Sequence, residues 1–123
     1  MNIIINGAKG RMGRIVDECA TANGHTVVAR VDFGYGAGEG LRTLAEYQGP
    51  ADVVVDFSNH AATAQVMEYC VKRGLPVVVA TTGQTEAEQA LIDAAAEAVP
   101  VFQSAKMFES EPRQSRMSSF ASM

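Results

Sequence analysis

The sequence predicts an α/β domain built on a doubly wound parallel sheet. Three observations carry that expectation. Short β-branched runs alternate with segments of helical period along the first 106 residues, a pattern that produces parallel strands joined by right-handed crossovers. The runs are apolar throughout, as in strands covered on both faces. The length of 123 residues suits one domain that hides about two-thirds of its unfolded surface.

Asn2 to Asn6 opens the chain with three consecutive isoleucines and stops at Gly7, so the first strand is expected there. From Arg11 the period changes. Met12, Ile15, Val16, Cys19 and Ala20 recur at helical spacing, and Asn23-Gly24 ends the helix. Thr26 to Val31 is the second strand, closed by Asp32. Four glycines between Phe33 and Gly40 make a mobile loop, and a short helix is expected over Leu41 to Tyr47. Asp52 to Asp56 is the third strand. Ser58 or Asn59 caps the next helix, whose stripe is Thr63, Val66, Met67, Cys70 and Val71. Lys72 and Arg73 suit its negative end, and Gly74 stops it. Pro76 to Ala80 is the fourth strand. Thr85 and Glu88 form a capping box for a helix carrying Leu91, Ile92, Ala95 and Val99. Val101 to Gln103 is a fifth, short strand.

Residues 107–123 break the pattern. They contain no Leu, Ile or Val, and hold five serines against two in the first 106 residues. Such a composition buries too little apolar area to offset chain entropy. The expected organisation is a domain over 1–106 and an irregular tail over 107–123.

Composition narrows the function. Ten basic and 14 acidic residues leave a net charge of −4. That is a poor footprint for nucleic acid and for an anionic membrane surface. No apolar run approaches the roughly 18 residues of a membrane span, and Met1-Asn2-Ile3 lacks the basic start of a signal peptide. Cys19 and Cys70 are expected as buried free thiols, which suits a reducing cytoplasm. His25 and His60 have no cysteine or carboxylate at ligand spacing, so no metal is expected. No serine stands in a nucleophile elbow.

The chemistry gathers at the carboxyl ends of the strands. Gly7-Ala8-Lys9-Gly10-Arg11-Met12-Gly13 is G-x-x-G-x-x-G at a strand-to-helix turn. Glycines there permit a tight turn and close backbone approach to a pyrophosphate, and the helix N-terminus offers unpaired N–H groups. Asp32 ends the second strand 19 residues past Gly13, where a carboxylate accepts hydrogen bonds from an adenosine ribose. The fold is therefore expected to be Rossmann-like. Asp32 repels a 2′-phosphate, and Phe33-Gly34-Tyr35-Gly36 offers no compensating cation, leaving Lys9 and Arg11 as the nearest basic residues. The cofactor is expected to be NADH, with NADPH tolerated. Asp56-Phe57-Ser58-Asn59 and Ala80-Thr81-Thr82-Gly83 end the third and fourth strands. Their hydroxyls suit a ribose or a carboxamide. Asp56 is a catalytic-base candidate, although a strand-end aspartate more often caps a loop.

Gly-Ala-Lys-Gly-Arg-Met-Gly at 7–13, Val-Asp-Phe-Ser at 55–58 and Ala-Thr-Thr-Gly at 80–83 together resemble the cofactor domain of the 4-hydroxy-tetrahydrodipicolinate reductase (dihydrodipicolinate reductase) family. The resemblance covers residues 1 to about 106. It implies NAD(P)H-dependent reduction of a cyclic dicarboxylate imine in the diaminopimelate route to lysine. It assigns the pyrophosphate to Gly7, Ala8, Lys9, Gly10, Arg11 and Met12, and the adenosine ribose to Asp32. Ala80, Thr81 and Thr82 line the nicotinamide ribose. Ser104, Ala105, Lys106 and Met107 match the segment beside the nicotinamide, with Lys106 where the family has Asn. Ala80 stands where Gly is preferred, and His60 where Pro is common. Family members also carry a second, α+β half that binds the dicarboxylate substrate, supplies catalytic residues through a His-His-x-x-Lys signature and builds a homotetramer. This sequence has no His after His60. The expectation is a chain without that second domain, with no catalytic residue of its own and a truncated or frame-shifted end over 107–123. Two other readings stand beside it: a non-catalytic NAD(H)-binding module or remnant, and another small Rossmann dehydrogenase. A CoA-binding domain is a more distant fit.

Overall fold

The computed structural model describes residues 1–103. Five parallel strands form one sheet: β1 (Asn2–Asn6), β2 (Thr26–Val31), β3 (Val53–Asp56), β4 (Val77–Val79) and β5 (Val101–Gln103), in the order β2-β1-β3-β4-β5. Three helices connect them: α1 (Arg11–Ala22), α2 (Thr63–Arg73) and α3 (Glu86–Ala95). This is the doubly wound, Rossmann-like architecture that the alternating pattern predicts.

Strand alternation divides the core. Ile4, Val54, Val77 and Val79 face α2 and α3 and pack on Val66, Met67, Cys70, Ile92 and Ala95. Ile3, Ile5, Val53 and Val55 face the other way, toward Val16 and Ala20 of α1. Burying each large aliphatic side chain stabilises the fold by about 1.5–3 kcal/mol. Because α1 and α2 lie on opposite faces, the chain diverges between β1 and β3, and a crevice opens at their carboxyl ends.

The helix ends follow the sequence signals. Gly74 ends α2 at φ 66°, and Lys72 and Arg73 occupy its last turn. Thr85 and Glu88 close the capping box of α3. Neither Ser58 nor Asn59 caps α2 itself, whose N-cap is Ala62 without a side-chain cap. Asn59 caps the 3-10 turn before it, His60–Ala62, where its side chain accepts the Ala61 N–H.

Other expectations need correction. The helix over Leu41 to Tyr47 is only a 3-10 turn, Leu44–Glu46. Just Leu44 of that turn is buried, too little apolar surface to hold a longer helix. In α1 the buried positions are Gly13 and Ala20, with Val16 half-buried, while Met12 and Ile15 are 53% and 49% exposed. The helix lies close to the sheet through small residues, so the bulky stripe is one residue out of phase. Cys19, on that outer stripe, is exposed; only Cys70 is buried. Val71 and Leu91 flank their stripes and are also exposed. Ser104, Ala105, Lys106, Met107 and the tail over 107–123 lie outside the described residues.

Candidate functional site: the crevice between β1 and β3

Two of the three motif glycines are demanded by the fold. Gly7 adopts φ 86°, and a Cβ there would lie 2.6 Å from the Phe57 carbonyl carbon. At Gly13 a Cβ would overlap the Gly7 carbonyl oxygen. The turn is pinned where the Gly7 and Ala8 N–H groups donate to the Val31 carbonyl at 2.7 and 3.0 Å. Gly10 differs. Its backbone is extended, at φ −70° and ψ 168°, and a Cβ would meet only the Gly7 carbonyl oxygen at 3.4 Å. Nothing in the packing requires glycine there. Gly10 is the N-cap of α1, with no side-chain cap and no acidic residue in the first turn. The first N–H groups of α1 have no intrahelical acceptor and sit at the positive end of the helix dipole.

Asp32 joins this turn to the loop after β2. Its two carboxylate oxygens accept the Lys9 N–H and the Gly34 N–H, each at 2.8 Å. The Lys9 ammonium donates to the Gly34 carbonyl at 2.9 Å. A carboxylate has about four lone-pair positions, so two backbone donors leave Asp32 able to accept from a hydroxyl.

Asp56 forms part of the floor. One of its oxygens accepts from Asn6 Nδ2 at 3.1 Å, the Ser58 N–H at 3.1 Å and the Ser58 hydroxyl at 2.5 Å. Burial pushes its carboxyl above the usual range, against the opposing effect of those donors. Burial also pushes the Cys70 thiol up to about 12, aided by the Asp56 charge. This arrangement supports the loop-capping role of Asp56, and Cys70 is held as an inert thiol.

Beyond β4, Ala80 is half-buried, Thr81 buried and Thr82 exposed. The Thr81 hydroxyl accepts from Gln84 Nε2 at 2.8 Å, which leaves its own proton free to donate. Gly83 adopts φ 87°, and a Cβ there would lie 3.7 Å from the His60 ring. His60 Nδ1 in turn meets Glu88 Oε1 at 2.7 Å. The Thr85 N–H together with His60 holds the Glu88 carboxyl below its usual range, the backbone bond first.

A cavity of about 910 Å³ opens on this edge of the sheet. Its lining runs from Asn6, Phe33, Arg42 and Ser58 along α2 to Lys72 and Arg73, and it includes neither the glycine turn, Asp32 nor Ala80 to Thr82. Volumes of about 300–1,000 Å³ are usual for small-molecule and cofactor sites. The structure thus brings the glycine turn, Asp32 and the Ser58 loop to one edge. It also adds Phe33 and Arg42, which no local motif announces. Among the described residues no group of three or more His, Cys, Asp or Glu side chains converges as a metal site. No helix among them is long and apolar enough to cross a membrane.

The sequence pattern of the family described as dihydrodipicolinate reductase, N-terminus, matches residues 1–107. The chain belongs to that family. Among its relatives, the 4-hydroxy-tetrahydrodipicolinate reductase of an Exiguobacterium strain is 45% identical over 104 residues, which is 85% of this chain and 41% of the relative. The enzyme of the same name from Caldanaerobacter subterraneus is 37% identical over 113 residues, covering 87% of this chain and 44% of the relative. The chain therefore spans about two-fifths of the length of these curated relatives. In fold, it resembles a solved conserved hypothetical protein from Pyrococcus furiosus, with a TM-score of 0.61 and 22% identity over 83% of this chain and 91% of that one.

Proposed function

We propose that residues 1–106 are the dinucleotide-binding domain of a 4-hydroxy-tetrahydrodipicolinate reductase, and that they hold NADH or NADPH for reduction of a cyclic dicarboxylate imine. The observation that carries this reading is Gly10. The packing requires Gly7 and Gly13, whereas the space above Gly10 stays clear at the uncapped start of α1. Space of that kind, beside unpaired N–H groups, suits a pyrophosphate.

The backbone of Gly7, Ala8, Lys9, Gly10, Arg11 and Met12 would hold the phosphates. Asp32 would accept from the adenosine ribose, and Ala80, Thr81 and Thr82 would line the second ribose. The nicotinamide, when bound, supplies the hydride. The protein's part in this domain is to orient the cofactor at the carboxyl ends of β1, β3 and β4. The Ser104 to Met107 segment completes the nicotinamide side in this reading. The dicarboxylate substrate, the proton donor and any tetramer are proposed for the whole-length reductase of the family.

Calorimetric titration of the full chain tests the reading. One-site, saturable binding of NADH in the micromolar range is expected, with no binding of CoA. Binding of CoA without NADH, or of neither, would overturn it.

A further inference from the structure

We propose that Asn6 selects the base of the dinucleotide: its side-chain oxygen accepts from the amino group of adenine in the cavity beside α2, so that adenine is bound in preference to hypoxanthine. This rests on the dinucleotide reading above.

Asn6 is the last residue of β1 and stands in register with Asp56, the last residue of β3. Ile4 faces α2, and Asn6, two positions on, points to the same side. It is only 8% exposed and lines the cavity. Its Nδ2 donates to Asp56 Oδ1 at 3.1 Å and to Ser58 Oγ at 3.2 Å. Those two bonds use both amide protons and fix the plane of the group. Every fully sealed side-chain nitrogen or oxygen among the described residues has a partner. Asn6 Oδ1 accepts nothing among them, so it is not sealed and opens on the cavity that the residue lines.

Neighbouring polar groups are spent. The Ser58 hydroxyl donates to Asp56 at 2.5 Å and accepts from Asn6. Asn59 Oδ1 accepts the Ala61 N–H at 2.8 Å. Asn6 thus supplies a buried, oriented acceptor at the strand-end mouth of the cavity. The parts of a dinucleotide then sort by chemistry. A pyrophosphate only accepts, and belongs with the N–H groups at the start of α1. The ribose hydroxyls belong with Asp32 and Thr81 in the reading above, and the carboxamide with the segment after β5. The adenine amino group is the donor still without an acceptor. Phe33 follows Asp32 directly and lines the cavity with Ala61 and Ala62, so the chain passes from the ribose acceptor straight to a wall suited to a flat ring. Hypoxanthine carries a carbonyl oxygen in place of that amino group. Two acceptors would then face each other, and both would go unpaired.

The test measures binding of NADH and of reduced nicotinamide hypoxanthine dinucleotide by the full chain, with displacement by AMP and by IMP. Wild type should prefer NADH, and AMP, by about tenfold. Asn6→Ala should bring each ratio to within about twofold of one, through weaker binding of the adenine ligand. Asn6→Ser is too short to reach the base and should do the same; its hydroxyl can still meet Asp56, which covers the case in which the alanine variant does not fold. Because a ratio is read, a change in stability alone does not move it. A wild-type chain that binds both dinucleotides equally, or a folded variant that keeps the tenfold preference, would remove the assignment of Asn6 and leave the cofactor reading intact. A wild-type chain that binds neither dinucleotide would overturn both.

Discussion

The two ends of the crevice are built by different means. At the β1–β2 end the backbone does the work. Gly7 turns at positive φ, Gly13 lies against the turn, and Asp32 gathers two backbone N–H groups. At the β4 end side chains do it. Gln84 bonds Thr81, His60 bonds Glu88, and Glu88 also closes the capping box of α3. A backbone-built site tolerates almost no added atoms where the chain folds on itself. A side-chain-built site can lose one contact and keep its shape. The contrast predicts unequal responses to substitution.

The largest effect should fall on Gly7. Gly7→Ala places a Cβ against the Phe57 carbonyl carbon and forces a positive φ on an L-residue. A loss of about 3 kcal/mol or more is expected, read from urea unfolding. A variant within about 0.5 kcal/mol of wild type would show that the turn is not fixed as described.

Asp32→Asn keeps the size of the side chain and one acceptor oxygen but removes the charge. NADH affinity should fall by about 1.5–3 kcal/mol, with NADPH weakened less because a like charge has gone from its phosphate. Calorimetry with both dinucleotides measures this. An equal loss for the two would assign Asp32 to bracing the Lys9 and Gly34 backbone alone.

The β4 end should respond more mildly. Thr85→Ala removes the acceptor for the Glu88 N–H and should cost about 1 kcal/mol of stability. NADH affinity should stay near that of wild type. A drop in affinity as large as that of Asp32→Asn would mean that the two ends do not differ as described.

The smallest effect is one of pH. Burial raises the Asp56 carboxyl in the folded chain. Its contribution is therefore most favourable below its unfolded value of about 3.9 and declines as pH rises through the raised folded value. Asp56→Asn does not titrate and keeps an oxygen for the Ser58 donors. The melting temperature of the variant minus that of wild type should increase from pH 4 toward pH 7. A flat or falling difference would contradict a raised Asp56.

The same contrast explains what was legible in the sequence. Strand runs, helix stops and glycine spacing are local signals, so the five strands, the three helices and the Gly7–Gly13 turn read directly. The stripe of α1 is less legible, because the small residues Gly13 and Ala20 face the sheet and the bulky ones stand one residue out of phase. Arg42 over Phe33, and His60 beside Glu88, are pairings through space, 9 and 28 positions apart in the chain. Neither position carries a motif. His60 showed no ligand or partner at short spacing because its partner stands 28 residues away on another helix.

Gly10 gives the most direct test of the central claim, that the start of α1 is kept clear for a pyrophosphate. Gly10→Val adds branched carbons at an extended, exposed position where the nearest obstruction is 3.4 Å away. NADH titration and urea unfolding of this variant should be run beside wild type. The account predicts a folded variant, within about 1 kcal/mol of wild-type stability, with NADH affinity reduced at least about tenfold. A folded variant that binds NADH as tightly as wild type would contradict it.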